Sequence, residues 1–465
     1  MAYNFLECNR KQMYLMPVSI RDWLPEKHLA WFILDAVKEF DLTSFYRKYR
    51  VDGWGRAAYE PGMMVSLLLY AYCLGIRSSR QIERACEEHI AFRVITANQK
   101  PDYSTICRFR KENEEKLADL FTAVLQLCVQ AGLVKVGVVA LDGTKMKGNA
   151  SLAANRTYKY LEEEVKRMLQ EAEEKDAEED ALYGEGHRGD ELPAQLANRE
   201  SRLARLKEAK AQLEQQAKEK VALQEEKIEA RRREEEATGK KKRGRKLKEP
   251  DKKPDQKKAK ANLTDLDSRI MKTRNGYLQG YNAQAMVTKE QIIVAAEVTQ
   301  EQNDVNQLHP MLERTNEELT AVEAVGNVKV VLADAGYYSE DNVLNADPEG
   351  PELLLATSKD SKQRQAMKGK ACPRGRIPKN TTVKERMERK LLTKQGKKLY
   401  KWRSQTAEPV FGQIKECRSC GRFMRRGVSA ARSEWRLICA AHNLLKLWRS
   451  GKLHLAMQQR QGCWA

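Results

Sequence analysis

The sequence predicts an α/β fold in which helices flank a mixed β-sheet, with an all-helical region before the sheet and a helical insert inside it. Three observations predict this fold. Helical apolar patterns dominate the first 130 residues, β-branched strand patterns begin at Val134 and resume after Asp265, and a highly charged, helix-favouring stretch separates the two groups of strands. We therefore divide the chain into an N-terminal helical domain, a sheet domain in two segments, a helical insert and a C-terminal tail, at residues 1–130, 131–155 with 262–450, 156–261 and 451–465.

The N-terminal region has the pattern of a helix-turn-helix element. The apolar run Met63–Leu74 predicts a helix, and Pro61 suits its first turn. Ser78 predicts the cap of a second helix, and Pro101–Thr105 opens a short third one. The third helix carries the basic side chains of Arg108, Arg110 and Lys111. A short basic helix after a turn predicts entry into the major groove of DNA, and a plain helical bundle with a charged outer face is the alternative.

The composition favours a polyanionic partner and gives no sign of a membrane. The 465 residues include 84 Lys and Arg against 65 Asp and Glu, a formal net charge of +19. Such a charge attracts nucleic acid or an anionic surface without distinguishing between them. The longest apolar run, Met63–Gly75, is too short to span a bilayer, and the start of the chain lacks a secretory signal pattern. The ten cysteines are scattered and mostly lie in apolar runs. We therefore expect a cytoplasmic protein with reduced thiols.

The elements after residue 130 follow a known order once the insert is left out. Strands are predicted at 134–141, 277–288, 291–298, 328–332 and 352–357, with helices at 305–319, after Ser339, at about 397–414 and at 433–448. Lys289-Glu290 fits the turn of a hairpin between the second and third strands. This order resembles that of the ribonuclease-H-like fold. In that fold an acid on the first strand, one at the end of the fourth and one on a late helix converge, and Asp142, Asp334 and Glu408 occupy those places.

The three acids predict a catalytic metal centre. Asp142 and Asp334 each end a predicted buried strand, and each is closely followed by a glycine. A lone aspartate at such a place is usually a turn or capping residue, but two of them with Glu408 on the expected helix favour a shared site. Phosphodiester cleavage needs in-line attack and neutralisation of the extra charge, which two Mg²⁺ (or Mn²⁺) ions roughly 3.5–4 Å apart provide. These hard cations prefer carboxylate oxygens to His or Cys.

The insert predicts two helices and a basic linker. Apolar residues recur at near-helical spacing on both sides of Tyr183–Pro193, a segment with three glycines and a proline that would turn the chain. A helical hairpin forming a two-stranded coiled coil is the prediction, and solvated single helices are the alternative. The basic, proline-interrupted stretch Lys240–Lys260 predicts a disordered linker.

The sequence also resembles the DDE transposases of bacterial insertion sequences over nearly the whole chain apart from the insert. The motifs that carry the resemblance are Tyr59-Glu60-Pro61, Arg77-Ser78-Ser79-Arg80, Pro101-Asp102-Tyr103-Ser104-Thr105 to Phe109-Arg110, Asp142-Gly143-Thr144, Gly280-Tyr281-Asn282-Ala283-Gln284, Asp334-Ala335-Gly336-Tyr337 and Glu408-Pro409-Val410-Phe411-Gly412-Gln413-Ile414-Lys415. The resemblance implies that Asp142, Asp334 and Glu408 are the catalytic residues and also the metal ligands.

The family's signature around its glutamate gives further expected site residues. It consists of a tyrosine, an arginine, the glutamate and a lysine, matched in type by Tyr400, Arg403, Glu408 and Lys415. By resemblance, the tyrosine, the arginine and the lysine contact DNA phosphates near the cleaved bond, and an ordinary basic surface helix is the alternative. The gap between Arg403 and Glu408 is four residues, one more than the family pattern. Pro409 disfavours a continuous helix through Glu408. We add Lys145, close behind Asp142, to the predicted DNA contacts.

The resemblance implies a DNA transposase that binds the terminal inverted repeats of its element and then a target DNA. Water attacks first at the element's end, and the freed 3′-hydroxyl then attacks the target. Because two ends must be joined, we expect a homodimer or a larger assembly on DNA. One alternative is a domesticated nuclease with the same acids but no strand transfer. Another is a noncatalytic architectural DNA-binding protein, which the charge and the helical insert would also suit.

Three weaker signals remain. Zinc-ligand residue types occur at Cys417, Cys420, Cys439 and His442. Packing in the core is the preferred interpretation of these four, because one CxxC pair is common by chance. Two short arginine motifs resemble minor-groove hooks, at Arg243-Gly244-Arg245 and Pro373-Arg374-Gly375-Arg376, and nonspecific phosphate binding is the simpler interpretation of the first. Further acids near the predicted sheet, which we expect to serve as turn and capping residues, are Asp265, Asp267 and Asp304.

Overall fold

The structure is a computed structural model that describes residues 19–49, 57–168, 170, 194–238, 254–256, 258–273, 276–375, 377–378 and 380–452. Its N-terminal helices are α1 (Leu29–Lys38), α2 (Thr43–Tyr46), α3 (Pro61–Cys73), α4 (Ser79–Glu88), α5 (Ile90–Ile95), α6 (Tyr103–Glu112) and α7 (Glu114–Gln130). The next elements are β1 (Val138–Lys147), β2 (Asn155–Thr157), α8 (158–168), α9 (Ala194–Thr238), β3 (Lys260–Asn262), β4 (Arg269–Thr273), β5 (Gly276–Thr288) and β6 (Ile293–Thr299). The last are α10 (Leu308–Ala321), β7 (Val330–Ala333), α11 (Glu340–Leu344), β8 (Glu352–Leu355), α12 (Asp360–Gly369), α13 (Val383–Leu392), α14 (Lys394–Gly412) and α15 (Val428–Ser450).

Helix α3 is the centre of the N-terminal region. Pro61 lies in its first turn, where the missing N–H costs nothing, and the Glu60 carboxylate accepts hydrogen bonds from the backbone N–H groups of Gly62 and Met63. Every residue of α3 except Gly62 is buried. A helix that is apolar on all sides needs neighbours on all sides, and α3 packs between α1 and the C-terminal helix α15.

The N-terminal helices and the sheet share one hydrophobic core. Helices α3 and α7 both pack against α15, and the buried apolar residues of all three belong to one continuous cluster. Hydrogen bonds follow the same contact: the Ser433 hydroxyl donates to the carbonyl of Glu114 at 2.7 Å, and Arg436 Nε donates to the carbonyl of Ala118 at 3.0 Å. The predicted boundary at residue 130 therefore marks the end of α7 and not the edge of a core, because α15, from the far end of the chain, packs against both the N-terminal helices and the sheet.

Six strands form one mixed sheet in the order β4-β5-β1-β7-β8, with β6 paired to β5 on the side away from β1. Strand β1 is antiparallel to β5 and parallel to β7, which is in turn parallel to β8. The sheet thus has an antiparallel half and a parallel half that meet at β1. The mixed α/β class predicted from the sequence is confirmed.

Strand β1 differs from its prediction at both ends. We expected it to span 134–141 and to stop at Asp142, but it begins at Val138 and continues to Lys147. The reason is the long partner β5, whose antiparallel register runs from Val139 opposite Thr288 to Lys147 opposite Gly280. Asp142 consequently lies within the strand rather than at its end.

The insert has a small hydrophobic cluster of its own. It begins and ends in a two-stranded antiparallel ribbon, β2 with β3, from which α8 and α9 extend. Apolar side chains of α8, α9 and β3 pack together, namely Tyr158, Leu161, Val165, Met168, Leu206, Ala209, Leu213 and Ala261. This cluster is separate from the main core. The predicted turn Tyr183–Pro193, most of the linker Lys240–Lys260 and the tail from residue 453 lie outside the described residues. No helix in the described ranges combines the length and the apolar character needed to cross a membrane.

Candidate active site

Asp142 and Asp334 lie next to each other near the middle of the sheet. In the parallel pair β1–β7, Ala140 is opposite Leu332, and each aspartate lies two residues further along its chain. The backbone N–H of Gly143 donates to Asp142 Oδ1, and that of Gly336 donates to Asp334 Oδ1, both at 2.9 Å. Backbone donors close behind each aspartate therefore orient both carboxylates.

Helix α14 brings Arg403 and Glu408 to the same place. Arg403 Nη1 lies 3.5 Å from Asp142 Oδ2, and Arg403 Nη2 lies 3.6 Å from Glu408 Oε1. The Arg403 side chain is only 4% exposed, whereas that of Glu408 is 45% exposed. Tyr400 is also buried, with its ring centre 5.8 Å from the Arg403 guanidinium carbon. Arg403 therefore bridges two of the three acids, and the ring of Tyr400 lies close to its guanidinium group. The predicted contact of these two side chains with DNA phosphates does not fit this arrangement, since both are buried among protein groups.

Helix α14 continues through Pro409, contrary to the sequence-based expectation. A proline lacks the N–H that would bond the carbonyl four residues earlier, which here is that of Gln405. The side chain of Gln291, in the β5–β6 turn, donates to that carbonyl at 3.1 Å instead. This donor satisfies the carbonyl that the proline leaves without its usual partner. The helix then passes into a π-helical turn, Gln413–Cys417, which carries Lys415.

One cavity of about 1400 Å³ contains all three predicted acids. Its other charged lining residues are Lys145, Lys359, Lys368, Arg403, Lys415 and Glu416. Lys415 Nζ donates to the backbone carbonyl of Lys145 at 2.8 Å, which fixes the lysine against β1. Burial lowers the pKa of Lys415. Lys359 and Lys368, at the two ends of α12, were not singled out from the sequence, where they belong to a long basic stretch without a pattern. The cavity thus brings the three predicted acids together with five basic side chains.

A fourth acid, Asp304, lies beside the first two, although its sequence predicted only a turn or cap. Its Oδ1 accepts hydrogen bonds from Asn282 Nδ2 at 2.6 Å and Gln284 Nε2 at 2.9 Å, and an ion pair from Lys145 Nζ at 3.1 Å. It precedes a short 3-10 turn but makes no side-chain cap there. The sequence signal that could have pointed to Asp304 is the motif Gly280–Gln284, which we noted only as part of the family resemblance. This motif supplies two of the three donors to Asp304.

The closely spaced carboxylates of the site are the groups that a cation would bind. Burial raises the pKa of Asp142 to about 7; Arg403 opposes the rise, and the charges of Asp334 and Asp304 add to it. The donor atoms are carboxylate oxygens, the ligand type that Mg²⁺ and Mn²⁺ prefer. Within the described part of the chain, no three Asp, Glu, His or Cys side chains stand close enough to ligate one ion. The carboxylate residues therefore fit divalent cations. In this structure the guanidinium of Arg403 lies between Asp142 and Glu408.

Of the three basic residues predicted to read DNA, the structure exposes two. Arg108 and Lys111 lie on the exposed face of α6. Arg110 is buried and donates to the carbonyl of Arg77, the hydroxyl of Ser79 and the hydroxyl of Tyr72, at 2.9, 3.0 and 3.1 Å. The prediction of a DNA contact is wrong for Arg110 in this conformation, because its guanidinium joins α6 to α3 and α4.

The weaker signals resolve mostly into structural roles. Both ring nitrogens of His442 are occupied, by Arg418 at 3.1 Å and by the carbonyl of Gln291 at 2.9 Å, and Cys439 is buried in the core. These four Cys and His residues therefore give no support for zinc. Asp267 accepts a hydrogen bond from the backbone N–H of Val428 at the start of α15, which confirms its capping role. Arg243-Gly244-Arg245 lies outside the described residues, as does Arg376 of the second arginine motif.

Comparison with known protein families gives two matches. A family model described as a transposase domain (DUF772) matches residues 18–112, and one described as a transposase DDE domain matches residues 362–448. The second match includes Glu408, while Asp142 and Asp334 lie outside both ranges. No curated protein and no solved structure matches the chain.

Proposed function

We propose that this chain, a DDE transposase of the kind that insertion sequences encode, binds the ends of its mobile element and cuts and joins DNA strands at the cavity described above. The observation that carries the proposal is that Asp142, Asp334 and Glu408, from three distant parts of the chain, line one cavity together with five basic side chains. The helical N-terminal region and the mixed sheet agree with the family, whose DDE domain implies a ribonuclease-H-like fold.

Asp142, Asp334 and Glu408 would hold two Mg²⁺ or Mn²⁺ ions. Such ions would activate the attacking oxygen and stabilise the leaving oxygen of the phosphodiester. For Glu408 to take part, its carboxylate would exchange its contact with Arg403 for one with the cation. Its side chain is nearly half exposed, so this movement requires little repacking.

The protein's own groups would bind and orient the DNA. Lys359, Lys368 and Lys415 are placed around the acids where a phosphate backbone would cross the cavity. Arg403, which is buried, would hold Asp142 in place rather than bind DNA directly. Water would attack at the end of the element, and the released 3′-hydroxyl would attack the target DNA in the same cavity. Because two ends must be joined, at least two copies of the chain would act together.

The test uses DNA that carries the inverted repeats flanking the gene. Nicking of that DNA in the presence of Mg²⁺, followed by joining of precut ends to a second DNA, is the expected result. Nicking without joining would identify a nuclease that has lost strand transfer. Binding with no metal-dependent nicking at any concentration would identify an architectural DNA-binding protein and would refute the proposal.

We predict that the exposed face of α6 reads the element's ends. The change is the double substitution Arg108→Ala with Lys111→Ala. A lost base contact costs about 1–3 kcal/mol, and a lost phosphate contact reduces the slope of log affinity against log salt by about 1. The measurement is competitive binding to end DNA and scrambled DNA at two salt concentrations. Deletion of residues 1–130 is not a suitable test, because it would expose the side of α15 that α3 and α7 cover.

The matched control is Lys38→Ala, which removes an exposed lysine from α1. It should leave the preference for end DNA unchanged. Full discrimination by the double variant would mean that the insert or the sheet region reads the sequence, and the role assigned to α6 would be wrong.

A further inference from the structure

We infer that Asp304 is a positioning residue that fixes the loop carrying Asp334 against strands β1 and β5. Its effect on strand cleavage rests on the function proposed above, whereas its effect on the loop does not. Asp304 lies outside both family matches, and its sequence context predicted only a turn.

The first step is the way in which Asp304 itself is held. Three donors from two strands converge on one carboxylate oxygen, Oδ1: Lys145 from β1, with Asn282 and Gln284 from β5. The amide groups of Asn282 and Gln284 belong to fully buried residues. Hydrogen bonds to a charged acceptor are roughly twice as strong as those between neutral groups. The charge of Asp304 therefore fixes both amides in one orientation.

The second step links Asp304 to the loop after β7. Gln284 donates to Asp304 through Nε2, and its Oε1 accepts a hydrogen bond from the hydroxyl of Tyr337. Tyr337 lies three residues after Asp334 and is fully buried. A second link runs beside the first, because Asn342 Nδ2 donates both to the carbonyl of Val305 and to that of Tyr337, at 2.7 and 2.8 Å. The loop is thus linked to Asp304 through the side chains of Gln284 and Tyr337. It is also linked to Val305, the residue after Asp304, because the Asn342 amide donates to both.

The third step is the space that two glycines leave for the carboxylate. A Cβ atom at Gly143 would lie 2.5 Å from Gln284 Nε2 and 2.9 Å from Asp304 Oδ1. A Cβ atom at Gly336 would lie 3.0 Å from Asp334 Oδ1 and 3.5 Å from Asp304 Oδ2. A Cβ atom at position 143 would therefore crowd both Gln284 and Asp304, whereas one at position 336 would crowd Asp334 and make only ordinary contact with Asp304. This packing gives a physical reason for the glycine that directly follows Asp142.

The consequence is a fixed spacing of the two aspartates. The backbone N–H of Gly336 donates to the Asp334 carboxylate. Movement of the loop therefore changes the orientation of that carboxylate. When the charge of Asp304 is removed, Lys145 loses its carboxylate partner and the Gln284 amide loses its orientation. The Tyr337 hydroxyl then loses its fixed acceptor, and the loop gains freedom.

The test compares backbone hydrogen exchange in peptides that cover residues 334–338 between the wild-type protein and two variants. All proteins are measured without DNA or metal. Asp304→Asn keeps the shape and an accepting oxygen but removes the charge. Tyr337→Phe keeps every charge and nearly all of the core volume while breaking the link to Gln284. Both variants should exchange about 10-fold faster in this segment than the wild type, which corresponds to about 1.4 kcal/mol of lost protection. Asp341→Asn, an exposed acid on α11, is the control for charge and should behave like the wild type.

Exchange within twofold of the wild-type rate in both variants would overturn the inference. If Asp304→Asn loosens the whole protein, so that peptides of α15 also exchange faster, Tyr337→Phe alone decides the question. Acceleration confined to residues 334–338 then supports the inference, and no local acceleration refutes it.

A second measurement reports on the active site rather than on folding. It is the Mn²⁺ concentration needed for half-maximal cleavage of end DNA. Groups that orient metal ligands typically change metal affinity 10–100-fold, so Asp304→Asn should raise this concentration by about that factor. A wild-type protein that cleaves no DNA while the exchange result holds would refute the proposed function and leave the positioning role intact. If the wild-type protein cleaves DNA while Asp304→Asn leaves the exchange rate and the Mn²⁺ dependence unchanged, the positioning role is refuted and the proposed function is kept.

Discussion

Replacing Asp142, Asp334 or Glu408 by alanine should abolish strand cleavage, by about 10³-fold or more, and leave DNA affinity within a few fold of the wild type. The expected loss is large because metal ligands act on the transition state, where several kcal/mol of charge stabilisation are at stake and each 1.36 kcal/mol changes the rate tenfold. Affinity should persist because it comes mainly from lysine and arginine contacts to phosphates. The measurement is Mg²⁺-dependent nicking of end DNA alongside binding to the same DNA.

The three variants differ in their structural risk, which decides the controls. Asp142 is the partner of the buried Arg403, so its removal leaves a buried cation with less compensation. Asp142→Asn keeps the shape and is the better test of chemistry at this position. Asp347→Ala, at an exposed loop acid, is the control that should retain full activity. Near-wild-type nicking by Asp334→Ala under Mg²⁺ would contradict the assignment of the active site.

The elements that carry the site were largely predictable from the sequence. Continuous β-branched runs identified β1 and β7, because parallel strands buried on both faces leave little room for polar residues. The hairpin β5–β6 was predicted from its turn and is confirmed with shifted ends. The closeness of Asp142 and Asp334 was expected from the resemblance to the ribonuclease-H-like fold, whereas β4 and the order of the strands within the sheet were not predicted.

The parts that were missed depend on contacts between distant residues. The sequence around Pro409 predicts an interrupted helix, and nothing nearby shows that Gln291, 118 residues earlier, supplies the missing donor. Arg110 has the appearance of a DNA contact until its three acceptors, on α3, on α4 and in the segment before α4, are known. Asp304 is likewise a common loop residue in sequence. Its position beside the acids becomes visible only when β1, β5 and the loop after β7 are brought together.

The domain boundary predicted at residue 130 depends on the same kind of contact. A change of pattern from helix to strand marks a change of secondary structure, but it does not show which elements share a core. Helix α15 begins 298 residues after the last residue of α7, and its buried face is divided between α3, α7 and β6. The N-terminal helices, to which we assign the reading of DNA, and the sheet that carries the proposed active site are therefore joined through one helix.

A buried ion pair in that joint connects Glu434 of α15 with Arg77, which precedes α4. The two side chains are 3.1 Å apart and almost completely buried. Arg77 also donates to the carbonyls of Ser419 and Arg422, and Glu434 accepts from the backbone N–H groups of Met424 and Arg425. This network fixes the segment that follows the π-helical turn of Lys415 to the start of α4.

Glu434→Ala should therefore lower the free energy of unfolding by about 3–5 kcal/mol, the cost of leaving a buried charge without its partner. Glu434→Gln keeps an accepting oxygen for the backbone N–H groups and should lose less than the alanine variant. Glu317→Ala, at an exposed acid of α10, should stay within about 0.5 kcal/mol of the wild type. The measurement is urea unfolding followed by far-ultraviolet circular dichroism, together with nicking of end DNA under conditions in which each variant is folded. A loss below about 1 kcal/mol for Glu434→Ala would mean that water or a rearranged side chain replaces the carboxylate. The pair would then not be what holds the N-terminal helices to the active site.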